Sequence, residues 1–230
     1  MRKSSTTLQW IIRVLLYILG LFFMALGVAF SVNSNLGVSP INSLPYVISQ
    51  IIRIPLSLSV VAVFCIYILL QIIILRKEFA PINLLQIVFS TIFGYFVDFT
   101  KFLLGDFSLP TYLGQLSMLI ISILLVAVGV TLYIEVDLLP MPMEGFTMAL
   151  SKKCSLPFHS VKVAVDCIVV LIGVILSLAV FHGLVGIREG TVITAVVVGK
   201  LMAIFRKPIV PIISRYCFGG EQECPKETIP

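Results

Sequence analysis

The sequence predicts an all-α polytopic membrane helix bundle of six long helices and two half-helices, arranged as two inverted-topology repeats. Three observations predict this fold class. Hydrophobic residues make up 59% of the 230 residues and charged residues only 12%. Soluble domains carry roughly 25% charged residues, so only a bilayer suits this composition. The other two observations are apolar segments of membrane-spanning length and an internal repeat of glycines and prolines.

Six segments contain the roughly 20 mostly apolar residues that a transmembrane helix requires. They are 10–30, 56–75, 81–103, 112–134, 158–180 and 191–205. The last is the shortest, and a start near Gly186 gives it adequate length. The first run is too long for the core of a signal peptide and lacks a small-x-small cleavage site near its end. We therefore expect it to be the first transmembrane helix.

Two further apolar segments, 40–52 and 142–153, are too short to cross a bilayer. Each begins with a proline, which suits the first turn of a helix, and each is followed by another proline, which helps to end it. We expect half-helices that enter the membrane and return, or that lie in its interface.

Matched glycines and prolines recur at one offset of 102 positions (129 − 27). The pairs are Gly27 and Gly129, Pro40 and Pro142, and Pro55 and Pro157. The offset divides the chain into a first membrane repeat (1–104), a second membrane repeat (105–207) and a cytoplasmic tail (208–230). Each repeat contains three spans and one half-helix.

The basic residues predict the orientation, because cytoplasmic loops of membrane proteins are rich in Lys and Arg. With six spans, one side receives Arg2, Lys3, Arg13, Arg76, Lys77, Lys152, Lys153, Arg206, Lys207, Arg215 and Lys226. The other side receives only Arg53, Lys101 and Arg188. This predicts that both termini are cytoplasmic. Because three spans are an odd number, the second repeat must be inverted relative to the first.

Polar residues occupy equivalent positions before and within the two half-helices. At the offset of 102, Asn35 corresponds to Asp137 and Asn42 to Glu144. Inverted repeats with broken helices form solute sites near the bilayer midplane, where helix N-termini offer free N–H groups. These four residues are therefore predicted to bind a solute. The alternative is that they only cap the half-helices, and one residue can do both.

Asp166 and Lys200 are predicted to form an ion pair between the last two spans. A charge at this depth usually faces the interior of the bundle. The pair is interpreted as either a structural pair, with the lysines extending to the interface, or a coupling pair in transport. Lys162 lies four residues before Asp166 and shares its helix face.

Several classes of function are not supported by the sequence. The two histidines lie at opposite ends of one span, and the cysteines lack metal-ligand spacing, so no metal site is expected. Nucleotide-binding and catalytic motifs are missing, which predicts no cofactor and no enzyme. Because the basic residues are dispersed, no nucleic-acid partner is expected. The expected partners are membrane lipid, a small-molecule solute, and another copy of the chain or a partner protein.

The segment LGVSPINSLPYVIS, its echo LLPMPMEGFTMALS and the later REGTVITAVVVGK resemble the YczE/YitT-like bacterial integral membrane proteins. In that family a Gly-x-x-Pro stretch precedes an acid in the first half. Gly37 and Pro40 fit this pattern, but Asn42 stands at the position of the acid. Pro142 and Glu144 fit the related stretch of the second half, with Glu in place of the family's more usual Asp. The resemblance implies a bacterial plasma membrane protein and little about its substrate.

Together these features predict a small-solute transporter or channel of the plasma membrane, with a site between the two repeats. The alternative is a membrane scaffold or accessory subunit that binds a partner protein without transport. A water-accessible cavity at the half-helices would favour the transporter, whereas a sealed interior would favour the scaffold.

Overall fold

A computed structural model describes residues 7–105 and 107–217. These ranges form eight α-helices and no strand. The helices are α1 (Thr7–Ser34), α2 (Pro40–Ile52), α3 (Leu56–Leu75), α4 (Leu85–Leu104), α5 (Tyr112–Glu135), α6 (Pro142–Cys154), α7 (Phe158–Phe181) and α8 (Glu189–Cys217). Two short 3-10 turns, Arg76–Glu78 and Pro81–Leu84, join α3 to α4. The all-α prediction is confirmed, including two helices of only 13 residues at the predicted positions.

Five helices, α1, α3, α4, α5 and α7, are long and apolar enough to cross a membrane. The sixth long helix, α8, has 29 residues but is not one of these five. Its charged residues are Glu189, Lys200, Arg206, Lys207 and Arg215. The sequence had predicted its apolar stretch, 191–205, as a sixth span.

The centre of the bundle is the crossing of α1 and α5, which run antiparallel. Gly20 faces Gly129, and Ser122 donates a hydrogen bond to the carbonyl of Gly27 at 2.7 Å. A Cβ on Gly129 would lie only 2.6 Å from the carbonyl oxygen of Gly20. Small residues therefore allow the two backbones to touch, as at other membrane helix crossings.

The two ends of the bundle are named by α1. At the near end α1 begins and α5 ends, and the Arg13 guanidinium donates to the carbonyl of Val136. At the far end α1 and α4 both end, and Asn33 donates to the carbonyl of Gly105 at 2.9 Å. All six long helices run between these two ends.

The two short helices pack between long helices of opposite halves of the chain. Helix α6 packs against α3 and α7, and α2 packs against α7 and α3. Gln71 of α3 donates to the carbonyl of Pro142 at 2.9 Å, which fixes the first turn of α6. The contact requires a glycine at position 145, because a Cβ there would lie 2.7 Å from the Gln71 amide oxygen.

Helix α8 continues to Cys217, 12 residues beyond the predicted end of the last span (217 − 205). Pro208 and Pro211 lie inside it and remove backbone N–H donors. Buried Ile213 and Cys217 pack against Val136 at the near end, and this apolar contact offsets the lost hydrogen bonds. Residues 208–217, predicted as part of the tail, are thus helical, and 218–230 lie outside the described residues.

Arg13 caps the C-terminus of α5, and its replacement tests this contact. Its side chain is 8% exposed and donates to the carbonyls of Val136 and Asp137, the latter at 2.7 Å. Hydrogen bonds from a charged donor contribute roughly 1.5–3 kcal/mol each. We expect Arg13→Met to lower the free energy of unfolding by about 2 kcal/mol in detergent, whereas exposed Arg215→Met should change it by less than about 0.5 kcal/mol. Equal loss in both variants would contradict the capping role.

Candidate functional site

Glu144 lies in the first turn of α6 and points into the bundle. Its carboxylate oxygen Oε2 is buried and has no hydrogen-bond partner among the described residues. Charged and phenolic groups from four other helices lie close enough to interact with it electrostatically. We call these residues the Glu144 cluster: Glu144 itself, Tyr17 of α1, Tyr67 of α3, Tyr133 of α5, and Lys162 and Asp166 of α7.

The three tyrosines supply ring faces and hydroxyl groups to the cluster. The rings of Tyr17 and Tyr133 meet edge to face at 5.8 Å, and Tyr67 stacks on Phe146 at 5.8 Å. Tyr17 donates to the carbonyl of Leu139 at 3.1 Å. The hydroxyls of Tyr67 and Tyr133 are buried and make no hydrogen bond of normal geometry within the described chain, although the Tyr133 hydroxyl lies close to the Glu144 carboxylate.

Three unpaired oxygen atoms therefore occur in one cluster: Glu144 Oε2, Tyr67 Oη and Tyr133 Oη. A buried polar atom without a partner costs roughly 1–3 kcal/mol, so native proteins keep few of them. A group of such atoms around one carboxylate is typical of a binding site rather than of a packed core.

The charges of the cluster do not balance when Glu144 is ionised. Lys162 pairs with Asp166 at 2.8 Å on the same face of α7, so this lysine already has an acidic partner. Glu144 then leaves one uncompensated negative charge. Inside a membrane protein such a charge is costly unless a proton or a cation neutralises it.

The predicted pair of Asp166 with Lys200 was wrong. Asp166 contacts Lys162 instead, one helical turn earlier, and Lys200 is exposed on α8. The physical reason is that α7 and α8 make almost no contact within the described ranges, whereas residues four apart on one helix are neighbours.

The predicted solute site does not form as one group, because Asn35 and Asp137 lie at opposite ends of the bundle. Both are exposed and adopt positive φ, 56° and 50°, which Asn and Asp tolerate in turns. The backbone carbonyls of both accept hydrogen bonds from arginines, Asn35 from Arg188 and Asp137 from Arg13. Because α1 and α5 run antiparallel, the residues that follow them cannot meet.

Asn42 is 2% exposed and donates to the Ser39 hydroxyl at 3.1 Å, while its Oδ1 has no partner in the described ranges. Its surroundings differ from those of Glu144. At the offset of 102, Tyr133 corresponds to Ser31 and Asp166 to Phe64. Of the four predicted residues, only Glu144 belongs to the charged cluster.

The tyrosines of the cluster were missed by sequence reasoning. A tyrosine in an apolar helix is most often a packing residue whose hydroxyl reaches the interface or a hydrogen-bond partner. The available signal was that Tyr17, Tyr67 and Tyr133 each lie within an apolar run, together with the single acid of a half-helix. That signal does not say that the three helices face α6.

Two loops close the far end of the bundle. The amide of Val38 donates a hydrogen bond to the carbonyl of Gly186 at 2.9 Å. The amide of Gly190 donates one to the carbonyl of Leu36 at 2.8 Å. Gly37 has a φ of 109°, and a Cβ there would lie 2.7 Å from the amide nitrogen of Arg188. This close approach joins the α1–α2 loop to the α7–α8 loop.

The two halves differ at their last helix pair. In the first half, a Cβ on Gly94 of α4 would lie 3.1 Å from Val61 of α3, so these helices pack closely. In the second half, nothing lies within 4 Å of a Cβ on Gly199 of α8. A groove of about 550 Å³ separates α7 from α8 towards the far end. Its walls include Val170, Val174, Leu184, Ile187 and Val192.

The fold and the apolar helices define a polytopic helical membrane protein. The chain belongs to a family of unknown function (DUF6198), whose model matches residues 11–207. It is 26% identical over 204 residues to the uncharacterized protein YyaS of Bacillus subtilis (strain 168), covering 87% of this chain and 93% of that protein. No solved structure matches.

Proposed function

We propose that this protein is a small-solute transporter and that the Glu144 cluster is its solute site. The observation that carries the proposal is the Glu144 carboxylate at the start of a half-helix, whose buried Oε2 has no hydrogen bond among the described residues and which lies near the phenolic groups of Tyr17, Tyr67 and Tyr133. Half-helix N-termini inside membrane bundles form the solute sites of many secondary transporters. A protein that only supported a partner would gain nothing from these unpaired polar atoms.

The arrangement of the helices supports two inverted repeats. Each half follows the order long, short, long, long, and the first helices of the halves, α1 and α5, are antiparallel. The packing of α3 on α6 corresponds to that of α7 on α2, and the packing of α1 on α4 corresponds to that of α5 on α8. Inverted halves are the usual basis of alternating access, in which one half moves against the other.

The charge distribution supports an orientation with the near end in the cytoplasm. Apart from Lys162 and Lys200, which lie within the predicted spans, eight described basic residues lie towards the near end: Arg13, Arg76, Lys77, Lys152, Lys153, Arg206, Lys207 and Arg215. Only Arg53, Lys101 and Arg188 lie towards the far end. By the positive-inside rule both termini are then cytoplasmic. The resemblance to YczE/YitT-like proteins suggests a bacterial plasma membrane and stays a prediction.

The difference between the helix pairs supports a route to the site. Helix α7 carries Lys162 and Asp166 and is held mainly by the short helices α2 and α6. Backbone hydrogen bonds join the two loops at the far end, whereas α7 stands apart from α8. Movement of α7 onto α8, to give the packing already present between α3 and α4, would change the access to the Glu144 cluster.

Thiol labelling of Phe146→Cys, in a variant without the native cysteines, tests the proposal. Phe146 stacks on Tyr67 beside Glu144, so its position reports whether the site is open to water. We expect a membrane-impermeant thiol reagent to label this position in right-side-out vesicles, which expose the outer face, and also in inverted vesicles, which expose the cytoplasmic face. The matched control is Phe93→Cys, because Phe93 is buried against Phe64 in the α3–α4 contact and should stay unlabelled.

Each result separates the transporter from the scaffold. Labelling from both sides at position 146, with no labelling at position 93, requires a site that water reaches from each side, as in a solute pathway. An absence of labelling at both positions would mean a sealed interior and would favour a scaffold or accessory subunit that binds a partner protein. Labelling from a single side would contradict alternating access.

A further inference from the structure

We infer that the Glu144 cluster binds a small primary ammonium ion and that the bound cation replaces a proton on Glu144. This inference rests on the proposed function and names the substrate class of the same site. The geometry points to an N–H donor, because Glu144 Oε2, Tyr67 Oη and Tyr133 Oη are buried oxygen atoms of one cluster, have no hydrogen bond of normal geometry among the described residues, and can each accept an N–H group. A primary ammonium group has three N–H donors.

The ring faces and the charge agree with this assignment. Aromatic rings attract cations over their faces, and Tyr17, Tyr67 and Tyr133 all lie close enough to Glu144 to interact with it electrostatically. The charged groups that face Glu144 are Lys162 and Asp166 of α7, which neutralise each other. An anion would meet the carboxylate without a free cation, whereas a cation would balance it.

A divalent metal ion fits the cluster less well than an ammonium ion. Calcium binds six to eight oxygen ligands, and magnesium demands an octahedral set. The described residues contain no group of three or more metal-ligating acids, histidines or cysteines here or elsewhere. Two neutral phenols and one carboxylate are a poor set for such an ion but are good acceptors for N–H groups.

The exchange is balanced in atoms and charge. Before binding, Glu144 carries a proton, which removes the uncompensated negative charge from the interior. When the ammonium ion enters, the carboxylic acid gives that proton to water, and the resulting carboxylate accepts an N–H hydrogen bond from the cation. The net charge of the cluster is the same in both states. The tyrosine hydroxyls facing Glu144 stay protonated and can turn to accept the other N–H groups.

Proton release from the purified full-length protein tests the inference. Methylammonium chloride is added to the protein in weakly buffered detergent solution over a series of pH values, and the released protons and the heat of binding are recorded. We expect about one proton per protein on the acid side of the titration, with no release on the alkaline side, where Glu144 is already ionised. Tetramethylammonium chloride, which has no N–H group, should bind at least about tenfold more weakly.

Two variants and one control locate the effect. Glu144→Gln should abolish proton release and weaken methylammonium binding at least about tenfold, because the charge is lost while the shape is kept. Tyr67→Phe should weaken binding severalfold with proton release at saturation intact, because it removes one acceptor and keeps the ring. Glu189→Gln, an exposed acid at the far end, should leave both quantities unchanged. Thermal unfolding of each variant checks that it is folded.

The results that would contradict the ammonium assignment differ from those that would contradict the transporter proposal. Proton release that persists in folded Glu144→Gln, or tetramethylammonium that binds as tightly as methylammonium, would overturn the ammonium assignment. If Phe146→Cys were labelled from both sides while methylammonium neither bound nor released protons, the transporter would stand and the ammonium assignment would fall. If neither labelling nor binding occurred, both would fall.

Discussion

A disulfide between cysteines at positions 163 and 199 is expected to hold the protein in one conformation and to stop two-sided access to Glu144. Val163 corresponds to Val61 at the offset of 102 (163 − 61), and Gly199 corresponds to Gly94 at 105 (199 − 94). Val61 and Gly94 mark the close contact of α3 with α4. If α7 closes on α8 in the same way, Val163→Cys and Gly199→Cys come within disulfide range.

The cross-link is measured by the change in gel mobility or mass after mild oxidation in membranes. The control pair is Val163→Cys with Val192→Cys, because these positions lie near opposite ends of α7 and α8 and cannot meet in either conformation. With Phe146→Cys also present and protected until the disulfide has formed, we expect labelling from one side to fall at least about tenfold. A disulfide that forms while labelling from both sides continues would contradict closure as the gating step.

Gly129→Ala is expected to be among the most destabilising single changes in the chain. The new Cβ would lie 2.6 Å from the carbonyl oxygen of Gly20 and 2.7 Å from the amide nitrogen of Met24. Both are backbone atoms of α1, so neither can rotate away, and the central crossing would have to separate. We expect a loss of about 3 kcal/mol in the free energy of unfolding, at the upper range for overpacking.

The control for this variant is Gly199→Ala, which makes the same chemical change in another long helix. Nothing lies within 4 Å of its new Cβ, and alanine favours a helix over glycine by up to about 1 kcal/mol. Unfolding of both purified variants in detergent, together with their yields from membranes, gives the comparison. If Gly129→Ala were as stable as Gly199→Ala, α1 and α5 would not cross as closely as described here.

The helices could be predicted because their signals are local. The apolar runs gave the positions of all six long helices, and Pro40 and Pro142 gave the first residues of both short ones. The last apolar run ended at residue 205, whereas α8 continues through Pro208 and Pro211 to Cys217. What keeps that segment helical is the contact of Ile213 and Cys217 with the end of α5, which is not a local signal.

The candidate site could be predicted only in part. Glu144 was found because it is an acid in the first turn of a half-helix, a local pattern. Asn35 and Asp137 were grouped with it by position in the repeat, but position in a repeat does not place two residues together in space. The ion pair of Asp166 was assigned to Lys200 because of similar depth, although Lys162 lay on the same helix face.

The sequence by itself determined that this chain is a helical membrane protein, since composition and segment length are properties of the chain, and its recurring Gly and Pro predicted two repeats. Only the tertiary structure decided that Glu144 faces Tyr17, Tyr67 and Tyr133. These residues come from four different helices, and their meeting depends on how α6 is inserted between α3 and α7. Packing between distant segments sets that arrangement, and the order of residues along one helix does not encode it.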